Sequence, residues 1–175
     1  MFPDHSLMPK EALRLAALGM LAEQSMSYGQ LASALRDFVH HIMGPSPDAM
    51  GSSLELLRYE ELVRPRQSGD ERLELTPQGH EEFVNLMLAT VRAPFNDLNK
   101  LVVALKLRFL PLLPAERRHD QCTLLIEACW VELARMLDLR AGYADRQDAF
   151  LAWLDHDIAQ AQARLSWFEA LSSRL

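Results

Sequence analysis

The sequence predicts a mainly α-helical fold: an N-terminal winged helix-turn-helix with a small β-hairpin wing, followed by a C-terminal α-helical, coiled-coil-like dimerisation domain. Three observations indicate this fold. Apolar residues repeat with helical period in three segments before residue 60, two short extended runs follow, and the helical period then resumes to the end of the 175-residue chain. We predict one domain over residues 1–92 and a second over residues 93–175.

The first three helices are placed by their starts and their apolar faces. Pro9 suits a first helical turn, and Ser27 can cap a second helix. The GPSP of residues 44–47 breaks that helix, and Pro47 with Asp48 begins the third. The apolar positions are Ala12, Leu13, Ala16, Ala17, Met20 and Leu21 in the first helix, Leu31, Leu35, Phe38 and Ile42 in the second, and Met50, Leu54 and Leu57 in the third.

A hairpin and a fourth helix complete the N-terminal half. The extended runs cover residues 62–66 and 72–76, and they flank the turn-forming QSGDE with Gly69 at its centre. Thr76 and Pro77 then resemble a cap and a first helical residue. Three helices, a hairpin and another helix are the element order of a winged helix-turn-helix.

The C-terminal half is helical by pattern, over about residues 79–92, 96–110, 115–139 and 145 to the end. In the last helix, apolar residues spaced 3, 4, 3, 4 and 3 apart form a coiled-coil-type seam. The tryptophans lie off this seam and need another partner surface, which favours a homodimer. The predicted dimer interface comprises Leu151, Leu154, Ile158, Leu165, Phe168, Trp130, Trp153 and Trp167.

Composition indicates a soluble protein. No apolar run approaches the roughly 18 residues of a membrane span. The N-terminal MFPDHSLMPK has no basic region followed by an apolar stretch, so we predict no secretory signal.

Cys122 and Cys129 lie seven residues apart on one apolar helix face, too far for an intrahelical disulfide. We therefore predict two buried free thiols in a reducing cytoplasm.

The net charge of −6 lies entirely in the N-terminal half. Through residue 90 there are seven Lys and Arg against thirteen Asp and Glu, whereas the remainder has eleven of each. This balance counts against a general nucleic-acid binder, because such proteins bind by neutralising phosphates. Any contact with DNA must therefore come from a few well-placed arginines.

Five stretches of the chain carry a family resemblance. They are RLAALGMLAEQSMSYGQLASAL (14–35), LELLRYEELVR (54–64), RLELTPQG (72–79), KLRFLPLLPAER (106–117) and ARLSWFEAL (163–171). LTPQG after the wing, together with a tryptophan-containing last helix at this distance, is their most specific part. With these stretches the chain resembles the PadR family of bacterial transcriptional regulators. The resemblance implies an N-terminal winged helix and a helical C-terminal region that makes the homodimer.

The sequence departs from the PadR pattern mainly at positions that would face DNA. The departures are Tyr28-Gly29 in place of Gly-Tyr, Gly51 in place of a tyrosine, Glu55-Leu56 in place of Lys-Arg, and Glu61 in place of a small residue. They leave the predicted fold intact. They keep a second hypothesis open, a winged-helix protein-interaction module that has lost DNA binding.

The third helix is the predicted base-reading element. With its leucines turned inward, it presents its other side to a major groove. Serine can bond several base edges, glutamate can accept a hydrogen bond from cytosine, and leucine can contact a thymine methyl group. We predict that Ser52 and Ser53 read bases, with Glu55 and Leu56 beside them. The alternative for these positions is a solvated helix face.

Phosphate contacts are predicted at the end of the third helix, around the wing and at the start of the second helix. The alternative for the arginines is ordinary ion pairing with Asp70, Glu71 or Glu74, and the alternative for the tyrosine is packing under the helix. The resemblance to PadR proteins favours phosphate contact. The predicted residues are Arg58, Arg64, Arg66, Arg72 and Tyr28.

Other polar clusters favour simpler interpretations. His40 and His41 are adjacent and point apart on a helix, and neither they nor His80 have a ligand at metal-binding spacing. The Asp-His-Asp of residues 155–157 is read as the polar outer face of a coiled-coil helix. With no nucleophile elbow, P-loop or dinucleotide fingerprint, we predict no enzyme, no metal and no cofactor.

These observations together predict a cytoplasmic bacterial regulator, a repressor that binds near-palindromic double-stranded operator DNA as a homodimer. Trp130, Trp153, Trp167 and Phe168 either form the dimer core or line a pocket for an aromatic or apolar effector. Such an effector would weaken DNA binding by changing the spacing of the two wings.

Overall fold

The computed structural model describes residues 7–44, 51–67, 69–91, 97–143 and 148–175, and it confirms the predicted fold class. A short 3₁₀ helix covers Leu110–Leu112. The helices are α1 (Pro9–Glu23), α2 (Tyr28–Met43), α3 (Gly51–Tyr59), α4 (Pro77–Leu88), α5 (Asp97–Arg108), α6 (Ala115–Ala141) and α7 (Ala149–Ser172), and the strands are β1 (Met26–Ser27), β2 (Val63–Pro65) and β3 (Arg72–Leu75). The predicted features at Pro47, Asp48 and Met50 lie outside the described residues.

Three helix starts that the sequence predicts are confirmed. Pro9 is the first residue of α1. Ser27 caps α2, where its Oγ accepts from the Gln30 amide at 3.3 Å and Gln30 Oε1 accepts from the Ser27 amide at 3.0 Å. Thr76 caps α4, where its Oγ1 accepts from the Gly79 amide at 3.0 Å.

The wing belongs to a three-stranded antiparallel sheet of order β1-β3-β2. The predicted hairpin pairs Val63 with Leu75, and the added strand β1 pairs Met26 with Leu73. The sequence did not predict β1, because two residues are too few to show the alternation typical of a strand. This strand joins the base of the wing directly to the start of α2.

The start of α4 is fixed tightly against the segment that links α3 to β2. Thr76 Oγ1 donates to the Glu61 carbonyl at 2.8 Å, and Glu61 has a φ of 58°. A Cβ placed on Gly79 would lie 2.0 Å from the Leu62 carbonyl oxygen. Only glycine permits this approach of two backbones.

Gly79→Ala is expected to destabilise the protein by about 2–4 kcal/mol, because neither backbone can yield without losing its hydrogen bonds. Urea unfolding of the variant and the wild type measures the difference. Gly29→Ala is the matched control, since nothing lies within 4 Å of a Cβ at that helical position, and it should unfold within about 1 kcal/mol of the wild type. Equal stability of the two variants would contradict the close packing at Gly79.

The core continues from the N-terminal helices into the helical region. A Cβ on Gly19 of α1 would lie 2.2 Å from the ring of Phe109, so the end of α5 packs closely on α1. Arg108 lies over the Phe38 ring at 5.1 Å and its Nη2 donates to Glu23 at 2.7 Å. The predicted boundary at residue 92 lies outside the described residues and stays a prediction.

Helices α6 and α7 run antiparallel and pack along each other. Arg140 pairs with Asp155 at 2.5 Å, and further along the pair Arg164 bonds Glu132 at 3.2 Å. The seam of α7 is buried in this contact, so α6 of the same chain covers it. The buried seam residues are Leu151, Leu154, Ile158, Ala161, Leu165 and Phe168.

Both cysteines are free and buried on α6, as predicted. Burial raises the pKa of the Cys122 thiol and raises the pKa of Cys129 to about 11. Both therefore remain protonated at neutral pH and react slowly. In the ranges that the structure covers, no helix is long and apolar enough to cross a membrane.

Candidate nucleic-acid interface

Helix α3 presents one side to the core and the other to solvent, as the leucine spacing predicts. Leu54 and Leu57 are buried, whereas Glu55, Leu56 and Arg58 are exposed. The backbone of Ser52 and Ser53 belongs to α3, but the side chains of these two residues lie outside the part of the chain that the structure describes. Their predicted contact with bases stays a prediction.

Arg58 lies between two open grooves on this surface. One groove, of about 590 Å³, is lined by Tyr28, Glu55, Arg58 and Tyr59, and so joins the start of α2 to α3. The other, of about 450 Å³, joins α3 to the wing and the start of α4, and Arg58 and Arg64 both line it. The structure therefore brings three of the predicted contact residues, Tyr28, Arg58 and Arg64, onto one continuous surface.

The wing arginines differ in how they are held. Arg64 Nε donates to Glu74 Oε1 at 3.0 Å, across a directly paired position of β2 and β3. The Arg64 side chain nevertheless remains 61% exposed. Arg66 and Arg72 face each other across the hairpin, where the Arg66 amide donates to the Arg72 carbonyl at 2.8 Å. Arg66 and Arg72 form no ion pair with any other described residue.

Some of the acidic residues of the N-terminal half form ion pairs that join helices to one another. Arg14 of α1 bonds Glu60 at 2.9 Å and Glu82 at 3.2 Å, and so ties the end of α3 to α4. Glu23 pairs with Arg108. These carboxylates act in packing, so the charge count overstates the negative charge on the α3 and wing surface.

Tyr59 belongs to the same surface and was not among the predicted contact residues. Its side chain is 87% exposed in the last turn of α3, beside Arg58. The signal was present in the spacing, because Tyr59 follows the buried Leu57 by two residues and therefore points away from the core. A phenol hydroxyl at this position can donate to a phosphate oxygen.

The helical region exposes several large apolar side chains on α6 and α7. Its three tryptophans are each about half exposed, at 52%, 54% and 49%, although such side chains are usually buried. On α7, Phe150 packs beside Trp153 with ring centroids 5.9 Å apart. We call the exposed aromatic residues of α7 the tryptophan face: Phe150, Trp153 and Trp167. Trp130, Val131 and Leu137 are exposed on α6.

The predicted dimer residues thus divide into two groups. The seam residues are covered within the chain, whereas Trp130 and the tryptophan face are exposed. Whether either group forms a dimer contact stays a prediction. Among the described residues there is no cluster of three or more His, Cys, Asp or Glu that could hold a metal ion.

The helix-turn-helix, the three-stranded sheet that includes the wing, the exposed side of α3 and the helical C-terminal region together define a winged-helix protein. The family model of AphA-like transcriptional regulators matches residues 2–172. The chain belongs to this family. The match confirms the class that the sequence predicted, a transcriptional regulator. Compared with curated protein sequences, the chain has no match.

Solved structures of Bacillus subtilis PadR are similar to this chain at low identity. One crystal structure is 16% identical, with 97% of each chain covered and a TM-score of 0.39. A complex with p-coumaric acid is 15% identical, covers 97% of this chain and 98% of that one, and has a TM-score of 0.41. A complex with operator DNA is 16% identical, covers 96% and 100%, and has a TM-score of 0.39.

Proposed function

We propose that this regulator represses transcription by binding near-palindromic double-stranded operator DNA as a homodimer. The observation that carries the proposal is the surface centred on Arg58, where the exposed side of α3 joins the wing. A recognition helix and a wing bind DNA together in this arrangement, the helix in the major groove and the wing along the backbone. Because operator DNA lies in the bacterial cytoplasm, we propose that the protein acts there.

In this proposal, bases and phosphates are contacted by different parts of the surface. Ser52, Ser53, Glu55 and Leu56 face base edges, where serine and glutamate form hydrogen bonds and leucine meets a thymine methyl group. The exposed arginines neutralise phosphates on both sides of the groove and fix the register. The phosphate-contacting residues are Arg58, Arg64, Arg66, Arg72, Tyr28 and Tyr59.

The tryptophan face is the proposed homodimer contact. Tryptophan is among the residues most enriched at the centres of protein interfaces, because it combines a large apolar area with few rotatable bonds. A twofold dimer would hold two α3 helices about one DNA turn, roughly 34–36 Å, apart. An aromatic or apolar effector that enters between the subunits would change this distance and release the operator.

The second candidate function is a protein-interaction module of the same fold without DNA binding. Two observations favour it. Glu55 lies on the exposed side of α3, and Glu74 forms an ion pair with Arg64 of the wing. Selection of binding sites from random DNA by the purified wild-type protein decides between the two. A regulator that binds operators enriches one near-palindromic sequence, whereas an interaction module enriches none at low salt.

Arg64→Ala/Arg66→Ala is expected to weaken operator binding by at least about 30-fold, because a dimer loses four phosphate contacts. The slope of log affinity against log salt should become shallower by about 3–4, at roughly 0.9 for each contact. Gel shifts with the promoter of the protein's own gene, over a salt series, measure both. Lys10→Ala/Lys100→Ala removes the same charge from exposed positions elsewhere and is the control. Tight, salt-sensitive binding by the double arginine variant would refute the assignment.

A further inference from the structure

Lys106, in the last turn of α5, is completely buried. Its Nζ donates to the carbonyl of Met87, to the carbonyl of Ala89 at 2.7 Å and to Gln121 Oε1 at 3.2 Å. An ammonium group has three N–H donors and no acceptor, so the protonated lysine has one oxygen for each of its donors. Burying such a group is unfavourable unless its partners are this well placed. Because a buried ammonium group costs free energy, we looked for a role of Lys106 other than stabilising the fold.

The first two acceptors belong to the end of α4. The last carbonyls of a helix have no partner inside the helix and carry partial negative charge. Helix α4 has no basic residue of its own in its last turn. Lys106 supplies the missing cation from α5, and so holds the C-terminal end of α4 to the helical region.

The other end of α4 is fixed to the DNA-reading elements. Thr76 donates to the carbonyls of Glu61 and Leu62, and Gly79 packs directly on Leu62, between α3 and β2. Helix α4 has 12 residues and is therefore about 18 Å long. It connects the α3 and wing surface at one end to Lys106 at the other, as a single rigid element.

The third acceptor ties Lys106 to α6, the helix that packs along α7 and so supports the tryptophan face. Gln121 is fully buried, and its Oε1 accepts from Lys106. Its Nε2 is also buried and has no hydrogen-bond partner in the described part of the chain. A buried amide that satisfies only its oxygen is retained at a cost to stability, which indicates that the bond to Lys106 has a purpose other than stability.

We propose that Lys106 is the positioning residue that fixes the α3 and wing surface relative to the tryptophan face, through α4 on one side and Gln121 on the other. The proposal rests on the proposed function, a dimer that binds two half-sites. In such a dimer the angle between these two surfaces sets the distance between recognition helices. Lys106 therefore determines which spacing of half-sites the protein accepts.

Gln121→Met separates this role from folding. The substitution keeps the side-chain length, removes the unsatisfied N–H and leaves Lys106 bonded to α4. We expect the variant to fold and to melt within a few degrees of the wild type, because the loss of one acceptor for the Lys106 ammonium is offset in part by the removal of the unsatisfied amide N–H. Affinity is measured for the selected operator and for operators whose half-sites are moved by two base pairs. On this change of spacing the wild type should lose at least about tenfold in affinity, and the variant less than threefold. Wild-type spacing discrimination in Gln121→Met would overturn the proposal.

Lys106→Met removes all three bonds, and Lys100→Met, on an exposed position of the same helix, is its control. We expect Lys106→Met to bind an isolated half-site as the wild type does, with spacing discrimination lost. Lys100→Met should keep both properties. A Lys106→Met protein that does not fold leaves the decision to Gln121→Met.

A distance measurement tests the same role without DNA. Spin labels on Glu81→Cys in α4 and Gln162→Cys in α7 report the intrachain distance when labelled chain is diluted into unlabelled chain; the native cysteines are buried and do not compete. Gln121→Met should broaden the distance distribution, whereas Lys100→Met should leave it unchanged. An unchanged distribution in Gln121→Met refutes the positioning role. Broadening without any DNA binding by the wild type refutes the proposed function instead.

Discussion

Trp153→Glu/Trp167→Glu is expected to convert the proposed homodimer to a monomer and to abolish operator binding at micromolar concentration. These two tryptophans are 14 residues apart, four turns of a coiled-coil-like helix, and both are about half exposed on one side of α7. In a twofold dimer the double substitution places four carboxylates in an apolar contact. We expect the dimer dissociation constant to rise at least about a thousandfold, or about 4 kcal/mol.

Sedimentation equilibrium of the variant and the wild type measures this constant. The monomer should remain helical, because the seam of α7 is covered by α6 of the same chain and does not need a partner. Gln162→Glu/Ser166→Glu adds the same charge to exposed positions on another side of α7 and should stay dimeric. Should Trp153→Glu/Trp167→Glu remain a dimer at about ten micromolar, the tryptophan face is not the contact.

The seam of α7 shows how far the sequence can predict this surface. A 3-4 repeat predicts that a helix buries one side, and the structure shows that side of α7 buried. The repeat does not predict whether the covering helix belongs to the same chain, since packing within a chain and packing between chains give the same pattern. The tryptophans were predictable as residues needing a partner because they lie off the repeat.

The N-terminal fold was more predictable than its surface. Helix starts depend on local chemistry, so Pro9, Ser27 and Thr76 could be placed from their neighbours alone. The electrostatics depend on tertiary contacts. The pairing of Arg14 with both Glu60 and Glu82 joins residues 46 and 68 positions apart, and no charge count can show it. The strand β1 was missed because two residues are too few to show an alternation, and because its partner Leu73 lies far along the chain.

Lys106 could not be predicted as a buried residue. In the sequence it is the last-turn lysine of an amphipathic helix, a position where lysine is usually solvated and favourable to the helix dipole. It is buried because the end of α4 and Gln121 of α6 converge on it, and two of its acceptors are backbone carbonyls that carry no sequence signal.

The burial of Lys106 should make the stability of the protein depend on pH. Burial lowers the pKa of this lysine from 10.5 to about 7. Between these two values the unfolded chain binds more protons than the folded chain, so the free energy of unfolding rises with pH. At about 1.4 kcal/mol for each pKa unit, this contribution amounts to about 2 kcal/mol between pH 7 and pH 9. Below pH 7 both states hold the proton and the contribution no longer changes.

Lys106→Met isolates the effect. We expect the wild type to gain about 2 kcal/mol relative to Lys106→Met between pH 7 and pH 9, measured by urea unfolding at each pH. Cys122 and Cys129 titrate in both proteins, and their raised pKa values destabilise the folded state only as pH rises above about 9, so their contribution cancels in the difference. Lys100→Met should follow the wild type. Parallel curves for wild type and Lys106→Met would mean that the ammonium form is held fully by its three acceptors, and that Lys106 stays charged in the folded protein throughout this range.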